Sequence, residues 1–490
     1  MRGRLGDRRR GARWTAALAG ALACAALGCQ SADGLGVPFR LNEKEGEAGT
    51  FTRGYYTAIV ARGASVAAAW LDRNGPKNRD VAVRRSLDGG RTWSEAFHLN
   101  DGEYANTVSV RPRLALLPGP GELLAVWQSR RNEAGQKFVL ARRSTDLGAT
   151  WEPVERLNFL PQSFLPDVAV REDGAVLVAY DDERNVNRDI FVNRSLDGGA
   201  TWLERDVRVD RMRRTESGAP AAAIAADDTA CVVWEERPRP LRGRRDVRPR
   251  LLAACSRDVG RTWGPPRDVV PPGEGASPLW PQLVASGRRF TVAWSAGELG
   301  ESRKSWLYLS SSSDGGTTWS APVTAYEGET YPQYQLVSSG DHVYLVWDGG
   351  EAEQPGAIYF NSSDDGGASW RRPWTEPLRI DRPEVGRSRA FQPRLAVQGS
   401  REVAVVWQED DRRVLLALSR DGGRTWPTSP IEVARREGEE TLRFPQVAVG
   451  GDAAYVLWER WGARQGEIRS LADVNRPTPH DVFVRRVALP

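Results

Sequence analysis

The sequence predicts an all-β protein, a single β-propeller of eight four-stranded blades. Three observations carry that reading. One octapeptide, SLDGGRTW at Ser86, returns as near-copies starting at Ser144, Ser195, Ser256, Ser312, Ser363 and Ser419. Successive starts lie 51 to 61 residues apart, a period that marks a repeat architecture. Four short strand-like runs accompany the box, and four strands per radial repeat is the propeller pattern.

The runs keep one order. The first usually carries a proline, as in RPRLALL, LPDVAV, WPQLVA, YPQYQLV and QPRLAV. The second ends in an aromatic residue: Trp70, Trp127, Tyr180, Trp234, Trp294, Trp347, Trp407 and Trp458. The third, such as DVAVRRS or AIYFNSS, leads into the box, and a fourth, such as AFHLN or PLRI, follows it. These alternating or β-branched runs, bounded by turn residues, read as strands. Within the box, Asp bonds nearby backbone, Gly supplies positive φ, and the closing Trp plugs the turn into the blade. Those closing residues are Trp93, Trp151, Trp202, Trp263, Trp319, Trp370 and Trp426, so the repeat absorbs most of the chain's 19 tryptophans as packing. A calcium loop is the sharper reading of DGG, but each box lacks the further acidic ligands of an EF-hand. No metal is expected.

The ends complete each other. The last repeat supplies FPQVAVGG, AAYVLWER and DVFVRRVALP and then stops without a box. Near the other end, PFRLN at Pro38–Asn42 resembles the fourth strand AFHLN. The N-terminal strand is therefore expected to complete the C-terminal blade, which removes two exposed sheet edges. A seven-bladed ring with a loose terminal repeat is the alternative.

Residues 1–28 read as an export signal, with arginines from Arg2 to Arg13 ahead of an apolar run. That run is too short for a transmembrane helix. ALGC at Ala26–Cys29 resembles a bacterial lipoprotein cleavage box. The resemblance implies lipidation of Cys29, a short linker over 29–37, a propeller over 38–490, and a lipid anchor in the cell envelope, with plain secretion as the alternative. The signal holds six arginines and one acid of the chain's 68 basic and 64 acidic residues, so the remainder is close to neutral. That balance argues against nucleic acid as a partner. Cys231 and Cys255 fall on adjacent antiparallel strands, where a disulfide and two buried thiols both remain open. His98, His342 and His480 are scattered, without zinc-site spacing. No cofactor is implied, and a monomer is expected.

The box S-x-D-x-G-x-T-W, placed between third and fourth strands, resembles the Asp-box of the sialidase-like (BNR) propeller family. The resemblance covers nearly all of the mature chain. It implies that function sits on the face opposite the boxes, in loops joining second to third and fourth to first strands. Sialidases combine three arginines for the sugar carboxylate, a tyrosine nucleophile with a glutamate partner, and an aspartate acid/base. On the face the resemblance points to, YEGETYPQY offers Tyr331 and Glu329 as nucleophile and partner; Asp80 is the acid/base candidate; and RFPQ, in the last repeat, offers Arg443 as a tetrapeptide similar to the family's F-R-I-P. The first strand that should hold that motif, YYTAIVA, has neither Arg nor Pro. Asp80 recurs as Asp189 and Asp481, which marks a structural position. Sialidases usually have six blades, so eight is a further departure.

The residues after the first-strand proline run Arg113, Asp167, Ala221, Gln282, Gln333, Arg394 and Gln446. Of these, Arg113, Gln282, Gln333, Arg394 and Gln446 are candidate ligand contacts in a central channel. Three functions compete: non-catalytic binding of a glycan or protein at the cell envelope, which leads because the catalytic set is incomplete; an exo-sialidase or related glycoside hydrolase; and an envelope scaffold.

Overall fold

The structure, a computed structural model, describes residues 34–43, 57–73, 79–105, 107–131, 135–211, 215–238, 249–270, 277–297, 304–350, 356–381, 388–462 and 480–489. The export signal and Cys29 lie outside these residues. Among them the chain is all-β apart from one 3-10 turn at Gly102–Tyr104.

The strands form six four-stranded sheets and one eight-stranded sheet. The larger sheet is two four-strand runs joined at a single parallel pair, Arg79 with Val108. We number eight successive units in chain order. Unit 1 runs from Ala58–Arg62 to Phe97–His98, unit 2 from Thr107–Leu116 to Glu155–Arg156, and unit 3 from Ser163–Val170 to Val207–Arg208. Unit 4 runs from Thr215–Ile224 to Arg267–Asp268, unit 5 from Ser277–Ser286 to Val323–Gly328, and unit 6 from Tyr334–Ser339 to Leu378–Arg379. Unit 7 runs from Ala390–Gln398 to Ile431–Arg435. Unit 8 consists of Thr441–Gly450, Ala453–Trp461 and His480–Ala488, with Phe39–Arg40 as its outer strand.

That outer strand pairs antiparallel, Phe39 opposite Val484 and Arg40 opposite Phe483. Asn42 extends the contact: its Nδ2 donates to Asp481 Oδ1 at 2.8 Å, and its Oδ1 accepts from the Val482 N–H at 2.9 Å. The expected linker is tied down as well. Leu35 bridges Val487, and the Gly36 N–H donates to the Arg486 carbonyl at 2.8 Å. The last strand thus holds its partner from residue 34 onward, ahead of the expected boundary at Pro38.

The second strands are buried on both faces, and successive residues pack against opposite neighbours: Val66, Ala68 and Trp70 meet unit 8, while Ala69 and Leu71 meet unit 2. Eight apolar clusters result, each shared by two neighbouring units. Val346 and Phe360 of unit 6 meet Val405 and Trp407 of unit 7. Tyr455 and Leu457 of unit 8 meet Trp70 and Ala82 of unit 1, with Leu41 between them. The two tryptophan sets separate here. Trp70, Trp127, Trp234, Trp347 and Trp407 on the second strands are fully buried, while most box tryptophans are only partly covered.

All seven boxes close on themselves in the same way. In the first, Ser86 Oγ donates to Asp88 Oδ1 at 2.8 Å and accepts from the Gly90 N–H at 2.7 Å. Thr92 supplies its N–H to Oδ1 at 2.9 Å and its hydroxyl to Oδ2 at 2.6 Å. Both carboxylate oxygens are therefore engaged inside the turn. The positive φ that Gly89 supplies here (69°) falls to Leu147 (56°) and Val259 (51°) in the two boxes lacking that glycine. Each box also rests on the unit before it. In unit 5 the support is a disulfide: Cys231 and Cys255 face each other across unit 4, with S–S 2.02 Å, and a side chain at Gly316 would collide with them.

Candidate functional site

The first strands of all eight units contribute to the lining of one cavity of about 1280 Å³. Its lining is drawn mainly from the middle of those strands and from loops before units 6 and 7, and it includes no box residue; the boxes bond to the hairpins between first and second strands, as Gly198 does to Gly174. The cavity thus lies away from the boxes.

Register decides which residue of each first strand faces it. The inward position pairs with the residue just before the second-strand aromatic. It is held by Ala58, Arg113, Asp167, Ala221, Gln282, Gln335, Arg394 and Gln446, opposite Ala69, Val126, Ala179, Val233, Ala293, Val346, Val406 and Leu457. All eight line the cavity. Sequence reasoning placed Gln333 in this ring, and the structure puts Gln335 there instead. Units 2, 3, 4, 5, 7 and 8 carry a β-bulge around the proline, but unit 6 pairs without one, so counting from its proline lands two residues early. Gln333 still lines the cavity, from the strand's approach, and its N–H is held by Asp348 Oδ1 at 2.7 Å.

Several ring residues are already committed to structure. Gln282 donates to the Tyr334 carbonyl at 2.9 Å and accepts from the Leu336 N–H at 2.9 Å. Gln335 accepts from the Leu395 N–H at 2.7 Å, and Asp167 from the Ala222 N–H at 3.0 Å. These side chains bridge adjacent first strands, which answers a buried backbone donor that would otherwise cost free energy. Gln282 is therefore a strand bridge before it is a ligand contact.

Five arginines line the cavity: Arg111 and Arg113 from unit 2, Arg389 and Arg394 at unit 7, and Arg443 from unit 8. Only Asp167 and Asp348 oppose them in the lining. Burial raises the Asp167 carboxyl above its ordinary value, against the pull of Arg113 and the Ala222 N–H. Burial also pushes Asp348 up to about 6, although the Gln392 and Gln333 N–H groups favour its charged form. Arg443 donates to Asp411 Oδ2 at 2.9 Å and lies 5.7 Å from the Trp461 ring. Two exposed aromatic residues, Trp280 (55%) and Tyr331 (46%), line the units 5–6 side.

The candidate catalytic residues do not meet. Tyr331 and Arg443 are in the lining; Glu329 is exposed and outside it. Asp80 is buried in unit 1, where Asn100 Nδ2 donates to its Oδ1 at 3.0 Å. Asn42 does the same for Asp481, so this aspartate is a repeated strap for the residue after the fourth strand. The recurrence of Asp80, Asp189 and Asp481 in sequence was the signal of that role. What sequence reading missed is the residue after four of the second-strand aromatics: Gln128, Glu235, Asp348 and Gln408 hold the N–H groups of Leu165, Trp280, Gln392 and Phe444 in the next unit.

These carboxylates set a pH dependence. Burial raises Asp181 to about 7 and Glu459 to about 8, alongside Asp348 at about 6. In the folded state they bind protons that the unfolded chain has released, so their contribution to stability is lost as pH rises from about 4 to 8. The box aspartates act oppositely. Burial alone would raise them, but the Thr and Ser bonds outweigh it and hold Asp258, Asp314 and Asp421 at about 2. Their contribution is present above about pH 4 and lost as pH falls towards 2. The melting temperature is expected to peak near pH 4–5 and decline on both sides. Calorimetry from pH 2 to 8 checks this; a maximum at pH 8 would contradict it.

A family model described as a BNR repeat-like domain matches residues 64–343. The chain belongs to this BNR-repeat family. Its architecture is accordingly that of the sialidase-like β-propellers, and the boxes are the family's repeat signature. Among solved structures, a GH93 α-L-arabinofuranosidase of Fusarium graminearum is 17% identical, with a TM-score of 0.40 over 64% of this chain and 93% of that one. A Hadza microbial sialidase is 18% identical, with a TM-score of 0.38 over 75% and 77%. A PL25 ulvan lyase is 11% identical, with a TM-score of 0.45 over 90% and 99%. A comparison with curated proteins gives no match.

Proposed function

We propose that this BNR propeller is a non-catalytic binder of anionic glycans at the cell envelope, using the central cavity. The observation that carries the reading is the lining itself: five arginines against two acids, with exposed Trp280 and Tyr331 in the same space. Guanidinium groups suit carboxylate and sulfate geometry, and aromatic faces suit sugar rings. Glu329 is outside the lining that holds Tyr331, and Asp80 is buried in unit 1 with Asn100 on its carboxylate, which favours binding over turnover.

The proposed ring has eight blades, with the N-terminal strand closing the last one. The pairing of Phe39–Arg40 with the final strand and the apolar cluster spanning units 8 and 1 support that count. An export signal with a lipid at Cys29 would place the ring at the envelope.

The test is a glycan array followed by titration calorimetry on the protein from Gln30 onward. Anionic glycans are expected to bind with salt-sensitive affinity. Arg113→Ala with Arg394→Ala should weaken binding at least about tenfold, since a charge-assisted hydrogen bond is worth about 1.5–3 kcal/mol. Equal binding by the double variant, or no glycan bound, overturns the reading. The second reading, an exo-sialidase, is favoured by Tyr331 sharing the lining with Arg113, Arg394 and Arg443. Turnover of a fluorogenic sialoside that Tyr331→Phe abolishes would establish it.

A further inference from the structure

Six first strands reach the cavity through the same backbone device. Arg111, Leu165, Ala219, Trp280, Gln392 and Phe444 each have φ between 49° and 57° and each precede a proline. A left-handed conformation costs an L-residue about 1–2 kcal/mol, so it persists only where the surroundings enforce it. Every one of the six lines the cavity. The backbone is common to all of them, while the side chains differ in size, charge and polarity. The bulge is therefore a mount, and what it presents is free to vary with the ligand.

Trp280 is held on both sides of its peptide unit. Its N–H donates to Glu235 Oε1 at 2.6 Å, and its carbonyl accepts from the Tyr334 hydroxyl. Both holding groups are buried. The indole nevertheless stands more than half exposed, against the general preference of an aromatic ring for burial. Tyr331 lies beside it, ring centroids 6.4 Å apart and planes at 72°. Gly297 leaves room for that tyrosine, because a side chain there would collide with its hydroxyl. Two rings at a steep angle form a corner, not a slot for a flat aromatic ligand.

We propose that Trp280 and Tyr331 form a stacking subsite for the apolar face of a sugar ring, next in the chain to the charged residue that the arginines hold. The inference rests on the anionic-glycan reading above and adds the occupant of the uncharged side. The cavity's volume supports it: about 1280 Å³ exceeds the roughly 300–1,000 Å³ of small-ligand pockets, leaving space for more than one sugar. The arginines come from units 7, 8 and 2 and the aromatic pair from units 5 and 6, so the two chemistries occupy different parts of one lining.

The experiment uses an array of sialylated, uronate-containing and sulfated oligosaccharides, each printed beside its charged monosaccharide, with wild type, Trp280→Ala and Trp280→Phe. Wild type is expected to prefer oligosaccharides. Trp280→Ala should lose about tenfold or more on them, as truncated aromatic anchors do, and little on the monosaccharides. Trp280→Phe should retain most of the affinity, and equal melting temperatures establish that both variants fold like wild type. Should Trp280→Ala unfold, the same array with Tyr331→Ala gives the readout. Oligosaccharide binding unchanged by both truncations overturns the subsite and leaves the functional reading standing. Wild type binding nothing on the array overturns both.

Discussion

Removal of residues 34–42 is expected to cost about 2.5–6 kcal/mol and to leave a protein that melts well below the full chain. Leu41 is fully buried between units 8 and 1, and its side chain alone is worth about 1.5–3 kcal/mol. Asn42 answers both Asp481 and the Val482 N–H in a buried setting, and those bonds add about 1–3 kcal/mol. The loss has a second consequence. The strand His480–Ala488 becomes a sheet edge, and unprotected edges pair with other chains. Calorimetry and size-exclusion chromatography of the shortened protein therefore form one test, with lower melting and larger species expected together. Asn42→Ala is the milder companion and should cost about 1–3 kcal/mol. A shortened protein that melts with the full chain and stays the same size would remove the case for a ring latched by its N-terminus.

The second large effect concerns the tryptophans of the second strands. Trp407→Ala is expected to cost about 3–5 kcal/mol, because the ring is fully enclosed by units 6 and 7 and its loss leaves a cavity. The more discriminating pair replaces tryptophan by phenylalanine. Trp407 Nε1 has no hydrogen-bond partner among the described residues, so Trp407→Phe removes volume without stranding an acceptor. Trp234 differs: its Nε1 donates to Glu236 Oε2 at 2.9 Å, and Glu236 is wholly buried. Trp234→Phe should therefore cost about 0.5–1.5 kcal/mol more than Trp407→Phe, the net worth of one hydrogen bond, since Glu236 Oε2 keeps the Ser217 hydroxyl as a donor. Urea denaturation of the two variants measures the difference. Equal costs would mean that packing volume alone sets the value of these rings.

The same contrast shows how far sequence reading reaches. Spacing identified both tryptophan sets as packing residues, and the structure places both in apolar contact. It could not separate fully buried strand rings from partly exposed box rings. That difference depends on which neighbouring unit lies over each ring, a contact between residues far apart in sequence, as with Phe360 and Trp426 at 5.0 Å. The candidate site was legible in the same partial way. Arg113, Gln282, Arg394 and Gln446 lie in the cavity lining where the first-strand count put them. Tyr331 lines it too, while Glu329, two residues away, does not.

The sequence by itself determined the repeat. Octapeptides of local chemistry, alternation of period 2 and a recurring aromatic are all written in short windows, so the all-β architecture and the pairing of the chain's two ends could be read from them. The tertiary structure alone decided which polar side chains share the cavity and which are spent on structure. Six first strands carry a bulge at the proline and unit 6 does not, a difference its sequence pattern does not mark, which is why Gln335 and not Gln333 takes the ring position. A buried carboxylate finds its partner in the next unit, which is why Glu235 and Asp348 emerge as mounts for Trp280 and Gln392 only once the units are side by side. Local bonds leave their mark on neighbouring residues in the chain; contacts across units exist only after folding has brought distant strands together.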